Sequence, residues 1–108
     1  MKFLLSSIVL ALFASSVSLL AADTQAGKTV YNAKCKVCHG ADGNGNPALG
    51  KTLKVEFKPL GSKEVQTKTG DEIKKQITQG GGKMKGVSGL SDKQIQDVVA
   101  FLRSFAKS

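Results

Sequence analysis

The sequence predicts a small all-α domain in which three helices are separated by long polar loops. Three segments repeat apolar residues at intervals of three and four, the spacing that places them on one face of a helix. No convincing alternation of apolar and polar residues occurs, since the one candidate strand, Leu53–Phe57, is too short to build a sheet. The segments 40–50 and 80–89 are rich in glycine and polar residues and are expected to be irregular.

The first predicted helix begins near Asp23 and Thr24, whose side chains can accept hydrogen bonds from the free amides of a first turn. Four apolar residues then recur at i, i+4, i+7 and i+11. This spacing predicts one continuous buried face that runs as far as the cysteine pair Cys35 and Cys38. The residues of that face are Ala26, Val30, Ala33 and Val37.

Two capping boxes predict where the other two helices begin. In a capping box, a Ser or Thr side chain accepts from the amide three residues on, and a Glu or Gln there reaches back. Thr69 with Glu72 begins a short helix that ends at Gly80, and Ser91 with Gln94 begins a longer one. The apolar faces of these helices are formed by Ile73 and Ile77 in the first and by Ile95, Val98, Val99, Leu102 and Phe105 in the second.

Residues 1–22 have the three-part layout of a secretory signal peptide. Lys2 is their only charged residue, an apolar stretch with interspersed serines follows, and Ala21–Ala22 close the segment. We expect cleavage at this boundary, to within one residue, and export to the periplasm. An uncleaved membrane anchor is the alternative, because the apolar stretch approaches the ~20 residues that span a bilayer. Residues 23–108 then form a single domain.

The composition is that of a basic globular protein rather than a disordered chain. The 108 residues are 41% hydrophobic, and 16 Lys and Arg against 8 Asp and Glu give a formal charge of +8. A domain of this size buries a small core and usually needs a cofactor, a metal or disulfides to be stable. Two cysteines and one histidine exclude most metal cages. Any such group must therefore be held around Cys35, Cys38 and His39.

The segment Cys35–His39, C-K-V-C-H, has the C-x-x-C-H spacing of covalent c-type haem attachment. Residues three apart lie on one face of a helical turn, so both thiols can reach the vinyl groups of a single porphyrin. His39 then projects beneath the ring, where its imidazole can bind the iron. The motif predicts one haem c, and export agrees with it because this haem is attached outside the cytoplasm.

Three other uses of these residues remain open. A redox-active pair of the thioredoxin type would need a neighbouring β-α-β pattern, which is not evident in the sequence. A zinc site would have Cys35, Cys38 and His39 as ligands, with Asp42 the only candidate for the fourth. A plain disulfide between the two cysteines would close a very short loop and would stabilise the fold little.

Met84 is the candidate for the second axial ligand of the iron. Residues 23–108 contain no second histidine, and Met84 is their single methionine. It lies between Lys83 and Lys85 in a glycine-rich segment, which suits a loop that folds over a cofactor better than it suits a core position. Ligation by His and Met leaves no open position on the iron, which favours electron transfer. A five-coordinate iron, in a gas-binding or peroxidase-like protein, is the alternative.

With these motifs the sequence resembles the class I c-type cytochromes, the small soluble monohaem kind, over residues 24–108. The resemblance implies several helices wrapped around one covalent haem, with the first and last helices crossing beside it. Gly27 and Tyr31 match the small and aromatic residues of the first helix at that crossing, and Phe101 matches the aromatic of the last. Pro47 matches a loop proline whose carbonyl accepts from the second nitrogen of the haem histidine. Lys85 departs from the family, which often has proline after the methionine.

Two further sets of residues are expected to lie near the haem. Candidates for its pocket wall are Leu49, Leu53, Phe57 and Leu60. Seven lysines would steer the protein towards acidic patches on redox partners, and they are Lys34, Lys36, Lys51, Lys54, Lys58, Lys83 and Lys85.

The expected partners are membrane oxidase, reductase or dehydrogenase complexes, and the chain is expected to act as a monomeric electron carrier rather than an enzyme. It could also be the electron-entry subunit of one dehydrogenase. Nucleic acid is not expected as a partner, because basic and aromatic residues do not interleave. Without haem, the remaining hypothesis is a secreted C-x-x-C thiol oxidoreductase.

Overall fold

The computed structural model describes residues 21–106, so the expected signal peptide lies outside the described residues except for Ala21 and Ala22. Within this range the chain forms six helices and one two-stranded hairpin, which confirms the predicted mostly helical class. None of these helices is long and apolar enough to cross a bilayer. In chain order the elements are α1 (Thr24–Lys34), α2 (Lys36–His39), α3 (Pro47–Leu53), α4 (Lys63–Gln66), α5 (Gly70–Gln79), β1 (Gly80–Gly81), β2 (Met84–Lys85) and α6 (Asp92–Arg103).

Helix α1 begins where a side chain satisfies its first amides. The Asp23 carboxylate accepts from the backbone N–H of Gln25 and of Ala26, at 2.9 and 3.1 Å. The residues that α1 buries are Gly27, Val30 and Tyr31.

The continuous apolar face predicted as far as Val37 is therefore wrong in its second half. Helix α1 ends at Lys34, so the helical periodicity is interrupted at Cys35, and Val37 belongs to the separate turn α2. Ala33 is exposed, and Val37 is 69% exposed.

Both predicted capping boxes are present. The Thr69 hydroxyl accepts from the Glu72 amide at 3.1 Å while the Glu72 carboxylate accepts from the Thr69 amide at 3.0 Å, and α5 follows. Hydrogen bonding of the Glu72 carboxylate to the Thr69 backbone first, and to the Thr69 side chain second, lowers the Glu72 pKa. Ser91 and Gln94 form the same pair of bonds at the start of α6, at 3.1 and 2.8 Å. These local signals locate both helix starts to the residue.

The segment Leu53–Phe57, judged too short for a sheet, indeed forms no strand: Leu53 is the last residue of α3, and the C-cap Lys54 adopts a left-handed conformation with φ 55°. The segment 40–50 is more regular than expected, since α3 begins within it at Pro47. In the segment 80–89, strands β1 and β2 pair antiparallel, with Gly81 opposite Met84. The hairpin is short, and its position matters more than its length because it carries Met84.

The centre of the fold is the crossing of α1 and α6. A Cβ atom at Gly27 would lie 1.9 Å from the Asp97 carbonyl oxygen, so the two backbones approach as closely as only glycine allows. Beside this contact the Tyr31 ring lies 5.2 Å from Phe101 and 5.4 Å from Phe105, in tilted arrangements. Phe105 lies two residues beyond the end of α6 and still closes the cluster, with its ring 5.2 Å from that of Phe101.

The hydrophobic core lies where α5 packs against this crossing. Among residues 21–106, the largest side chains that are fully buried are Tyr31 and Val98. The core is thus thin, as expected of a small domain that is completed by a bound group. The remaining residues of the core cluster are Val30, Ile73, Ile77 and Leu102.

Candidate haem site

The C-x-x-C-H segment forms a single helical turn directly after α1. The amides of Cys38 and His39 donate to the Cys35 carbonyl at 3.2 and 2.9 Å. This turn places the two cysteines at i and i+3 on one face. Both thiols are free and half-buried. Burial, and to a smaller extent the neighbouring Cys38, raises the pKa of Cys35. The Cys35 sulfur therefore stays a neutral thiol at neutral pH.

The following loop folds back and holds the carbonyl end of this turn. The Gly45 amide donates to the His39 carbonyl at 2.7 Å, and the Asn46 amide donates to the Cys38 carbonyl at 2.8 Å. The Asn46 side-chain amide adds a third bond, to the Val37 carbonyl at 3.2 Å. Carbonyls that a short helix leaves without partners are therefore satisfied by two loop residues.

Asn46 is a positioning residue that the sequence analysis missed. Its side-chain oxygen accepts from the amides of Ala48 and Leu49 at 3.1 and 3.2 Å, so that it also caps α3. The signal was available in the sequence, because Asn directly before Pro47 is a good N-cap followed by proline at the first helical position. The Asn46 side chain thus links the C-x-x-C-H turn at Cys35–His39, called the motif turn below, to α3.

The helix crossing is connected to the motif through Tyr31. Its hydroxyl donates to the carbonyl of Gly40 at 2.5 Å, immediately after His39. Burial, with smaller contributions from Cys35 and Asp42, raises the pKa of Tyr31 to about 12, so the hydroxyl remains a donor at neutral pH. Gly40 itself has φ +80°, a conformation that favours glycine.

His39 has the environment of a metal ligand. Its Nδ1 is buried and has no hydrogen-bond partner within residues 21–106. Burial lowers the pKa of the imidazole, which favours the neutral form that binds metals. The Phe57 ring lies edge-on to the imidazole, with the ring centres 5.8 Å apart. A half-buried imidazole whose pKa is lowered, next to two free thiols in a C-x-x-C-H turn, fits a covalent haem whose iron is bound by His39.

The hydrogen bond expected from His39 to the Pro47 carbonyl is absent, because the Nδ1 atom makes no bond within the described residues. Pro47 is instead the first residue of α3. The carbonyl of a first helical residue points along the helix axis towards the amide four residues on. The helical conformation at Pro47 therefore directs its carbonyl into α3, away from the role that the family resemblance implies, which is to accept a hydrogen bond from His39.

Met84 lies on strand β2, half-buried, opposite Gly81. The Gln76 side chain of α5 donates from Nε2 to the Met84 sulfur at 3.6 Å. Lys83 donates from Nζ to the Leu53 carbonyl at 2.9 Å, which ties the hairpin to the end of α3. Two contacts from different elements thus hold the segment that carries the thioether.

The four candidate wall residues are all half-buried, and their surroundings differ. Phe57 contacts His39, as described, and its ring also fills the space that a side chain at Gly45 would need. Leu60 packs against the hydrophobic core cluster, and its amide donates to the Gly43 carbonyl at 2.9 Å. Leu49 and Leu53 lie on α3.

All seven lysines expected to face a partner are exposed. Two of them are engaged within the molecule: Lys58 forms an ion pair with Glu64 at 2.6 Å, and Lys83 bonds to the Leu53 carbonyl. Lys34 and Lys36 lie on either side of the cysteine at the start of the motif turn, close in sequence to the exposed Val37. The remaining members of the set are Lys51, Lys54 and Lys85.

Two of the alternative uses of Cys35, Cys38 and His39 disagree with the structure of residues 21–106. No group of three or more His, Cys, Asp or Glu side chains in this range could hold a metal ion, so the zinc hypothesis is wrong there. The two cysteines are free thiols rather than a disulfide. The haem hypothesis and that of a redox-active cysteine pair remain.

The chain is similar to several known proteins. The family model described as cytochrome c oxidase, cbb3-type, subunit III matches residues 22–102. A cytochrome c6 of Leptolyngbya boryana is 40% identical over 82 residues, 75% of this chain and 91% of that protein. A cytochrome c-554(547) of Halothiobacillus neapolitanus is 29% identical over 76% of this chain and 96% of that protein. The solved structure of the KustC0563 c-type cytochrome has a TM-score of 0.64 at 30% identity, covering 75% of this chain and 98% of that one.

These similarities agree with the free cysteine pair and the buried imidazole of the motif turn. The protein carries one covalently bound haem c with its iron. It is an electron carrier and not an enzyme. The chain belongs to the class I c-type cytochromes, as a small monohaem cytochrome c.

Proposed function

We propose that this cytochrome is exported to the periplasm, loses its leader, and carries single electrons between redox complexes with His39 and Met84 as axial ligands. The observation that carries the proposal is the C-x-x-C-H turn, whose two free thiols and half-buried imidazole are held by the loop at Gly45 and Asn46. When bound, the haem supplies a one-electron ferrous/ferric couple, and the protein sets its potential and access.

His39 and Met84 have different tasks in this proposal. The lowered pKa of His39 keeps its imidazole neutral, so no proton has to leave before it can bind iron. Met84 contributes a thioether from a hairpin that Gln76 and Lys83 hold in place. With both axial positions filled by protein, oxygen and peroxide have no open position, which supports a carrier over a peroxidase-like or gas-binding protein.

Partner docking is assigned to the lysines around the motif turn. Lys34 and Lys36 are exposed and lie, in the sequence, within three positions of Val37, whose apolar side chain is 69% exposed, so we expect a small apolar centre flanked by positive charge. Such a surface suits redox partners with acidic patches, because opposite charges accelerate encounter and an apolar contact favours close approach. Lys58 contributes less, since Glu64 neutralises it.

Carbon monoxide binding tests the ligation directly. The dithionite-reduced wild-type protein is expected to bind carbon monoxide slowly and weakly, because Met84 must leave first. Met84→Ala is expected to bind it rapidly, and Lys85→Ala, a change at the neighbouring residue of the same strand, should behave as wild type. Rapid binding by the wild type would favour the five-coordinate alternative and overturn the proposal.

Docking is tested with hexacyanoferrate as an anionic redox probe. Lys36→Ala is expected to slow electron exchange at low ionic strength, and the difference should vanish at high salt because screening removes it. The double variant Lys58→Ala, Glu64→Ala is the matched control, since the two changes together leave the net charge unchanged. Equal rate losses in the two variants would contradict a docking surface centred on the motif turn.

A further inference from the structure

A buried carboxylate fastens the start of α1 to α6. Asp97 is 4% exposed, and it is the buried charged residue within residues 21–106. Its Oδ1 accepts from the backbone nitrogen of Asp23 at 2.8 Å and from Lys93 Nζ at 2.5 Å. The first of these bonds spans 74 positions of the sequence. The electron-transfer function uses neither contact.

The backbone N–H of Asp23 is available to donate to Asp97 because Asp23 lies at the N-terminal end of α1. Asp23 is the N-cap residue, and its own carboxylate accepts from Gln25 and Ala26. The backbone N–H of an N-cap residue has no partner within its helix. Ala21 and Ala22, which precede it, are exposed and outside any helix. The nitrogen that Asp97 binds therefore belongs to the residue that follows the expected leader.

We propose that cleavage of the Ala22–Asp23 bond turns this amide donor into an α-ammonium that forms a partly buried ion pair with Asp97. The proposal rests on the export and leader cleavage proposed above. In the step, water hydrolyses the peptide C–N bond. Ala22 leaves with the new carboxylate, and the freed Asp23 amine takes up a proton. Processing thereby strengthens a contact that the precursor makes only as an amide hydrogen bond.

The charges around the new terminus balance. On α6 it faces the Asp97 carboxylate and the Lys93 ammonium, and on α1 the carboxylate of Asp23 itself lies beside it. A positive charge at the N-terminus of α1 is opposed by the helix dipole, and these two carboxylates offset that opposition. Hydrogen bonds from the Asp23 backbone first, and from Lys93 second, lower the pKa of Asp97, so it is ionised at neutral pH.

The gain follows from the kind of hydrogen bond. In the precursor only the Asp97 acceptor is charged, whereas in the exported form the donor is charged as well, which adds a Coulomb attraction between the two groups. Because α1 leads directly into the motif turn at Cys35, the pair stabilises the crossing that positions the haem-binding residues. The exported form is thus expected to be more stable than a form with one residue added before Asp23.

The first experiment identifies the terminus and its environment. Mass spectrometry of the exported protein is expected to show a chain that begins at Asp23. Its α-amine is expected to react with an N-hydroxysuccinimide ester at pH 7 about 10-fold more slowly than that of a form with one asparagine inserted before Asp23, because a nearby carboxylate raises an amine pKa by about a unit or more. A different first residue, or equal reactivity, would overturn the proposal.

The second experiment isolates the pair with a double-mutant cycle. The inserted asparagine is expected to lower Tm by about 4 °C or more in the wild-type background and to have little effect with Asp97→Asn. Asp92→Asn is the matched control, because this exposed carboxylate of the same helix pairs with Lys74. Equal effects of the insertion in all backgrounds would refute the pair. The haem spectrum should be unchanged throughout, which separates failure of this proposal from failure of the electron-transfer assignment.

Discussion

Replacing Gly27 with alanine is expected to force α1 and α6 apart. The added Cβ would lie 1.9 Å from the carbonyl oxygen of Asp97 and 3.0 Å from the Cβ of Phe101. Ordinary contact begins at 3.4 Å, so the helices would have to separate by about 1.5 Å, the difference between 3.4 and 1.9. The nearest atom belongs to the backbone, and a change of rotamer therefore cannot relieve the clash.

The cost can be estimated from known effects of overpacking. Extra atoms in a packed interface typically cost about 1–3 kcal/mol, and the backbone clash at Gly27 places it at the upper end. Alanine recovers about 1 kcal/mol over glycine in a helix interior. The net loss of about 2 kcal/mol corresponds to a Tm lowered by about 8–16 °C in a domain of this size.

Thermal unfolding of the exported protein, followed by far-ultraviolet circular dichroism, measures this loss. Gly70→Ala is the matched control, because the same substitution at the start of α5 places a Cβ with nothing within 4 Å. That variant is expected to melt at or slightly above the wild-type temperature. An unchanged Tm for Gly27→Ala would show that the α1–α6 contact is looser than the structure has it and would refute the estimate.

Three further outcomes are expected. Gln76→Ala removes an N–H that points at the Met84 sulfur and so is expected to lower the reduction potential by about 20–60 mV in a redox titration; an unchanged potential would contradict the hydrogen bond. Thr69→Ala breaks a capping box and is expected to cost about 1 kcal/mol in chemical denaturation. In the double variant Lys83→Ala, Lys85→Ala, the pH at which Met84 ligation is lost is expected to rise, and an unchanged midpoint would show that neither lysine displaces the methionine.

Features determined by neighbouring residues could be predicted from the sequence. The capping boxes at Thr69 and Ser91 need only residues three positions apart, and the C-x-x-C-H motif needs a single helical turn. These signals do not depend on how distant segments pack. They located two of the three main helices and the residues that we propose bind the cofactor.

Features determined by distant contacts could not be predicted. Asn46 bonds to a carbonyl nine positions away, and Asp97 binds a nitrogen 74 positions away. Val37 continued the periodicity of α1, yet Cys35 ends that helix and leaves Val37 on the surface. Pro47 was matched to the family by position alone, while its place at the start of α3 follows from the cap at Asn46.

The absorption spectrum of the exported protein tests the central claim, His39 and Met84 ligation, most directly. The protein is recorded oxidised and dithionite-reduced after expression in a host that attaches haem. We predict sharp low-spin bands on reduction and, in the oxidised form, a weak far-red sulfur-to-iron band that disappears in Met84→Ala and persists in Lys85→Ala. High-spin haem without the far-red band in the wild type would contradict ligation by Met84 and, with it, the assignment of the protein as a His/Met electron carrier.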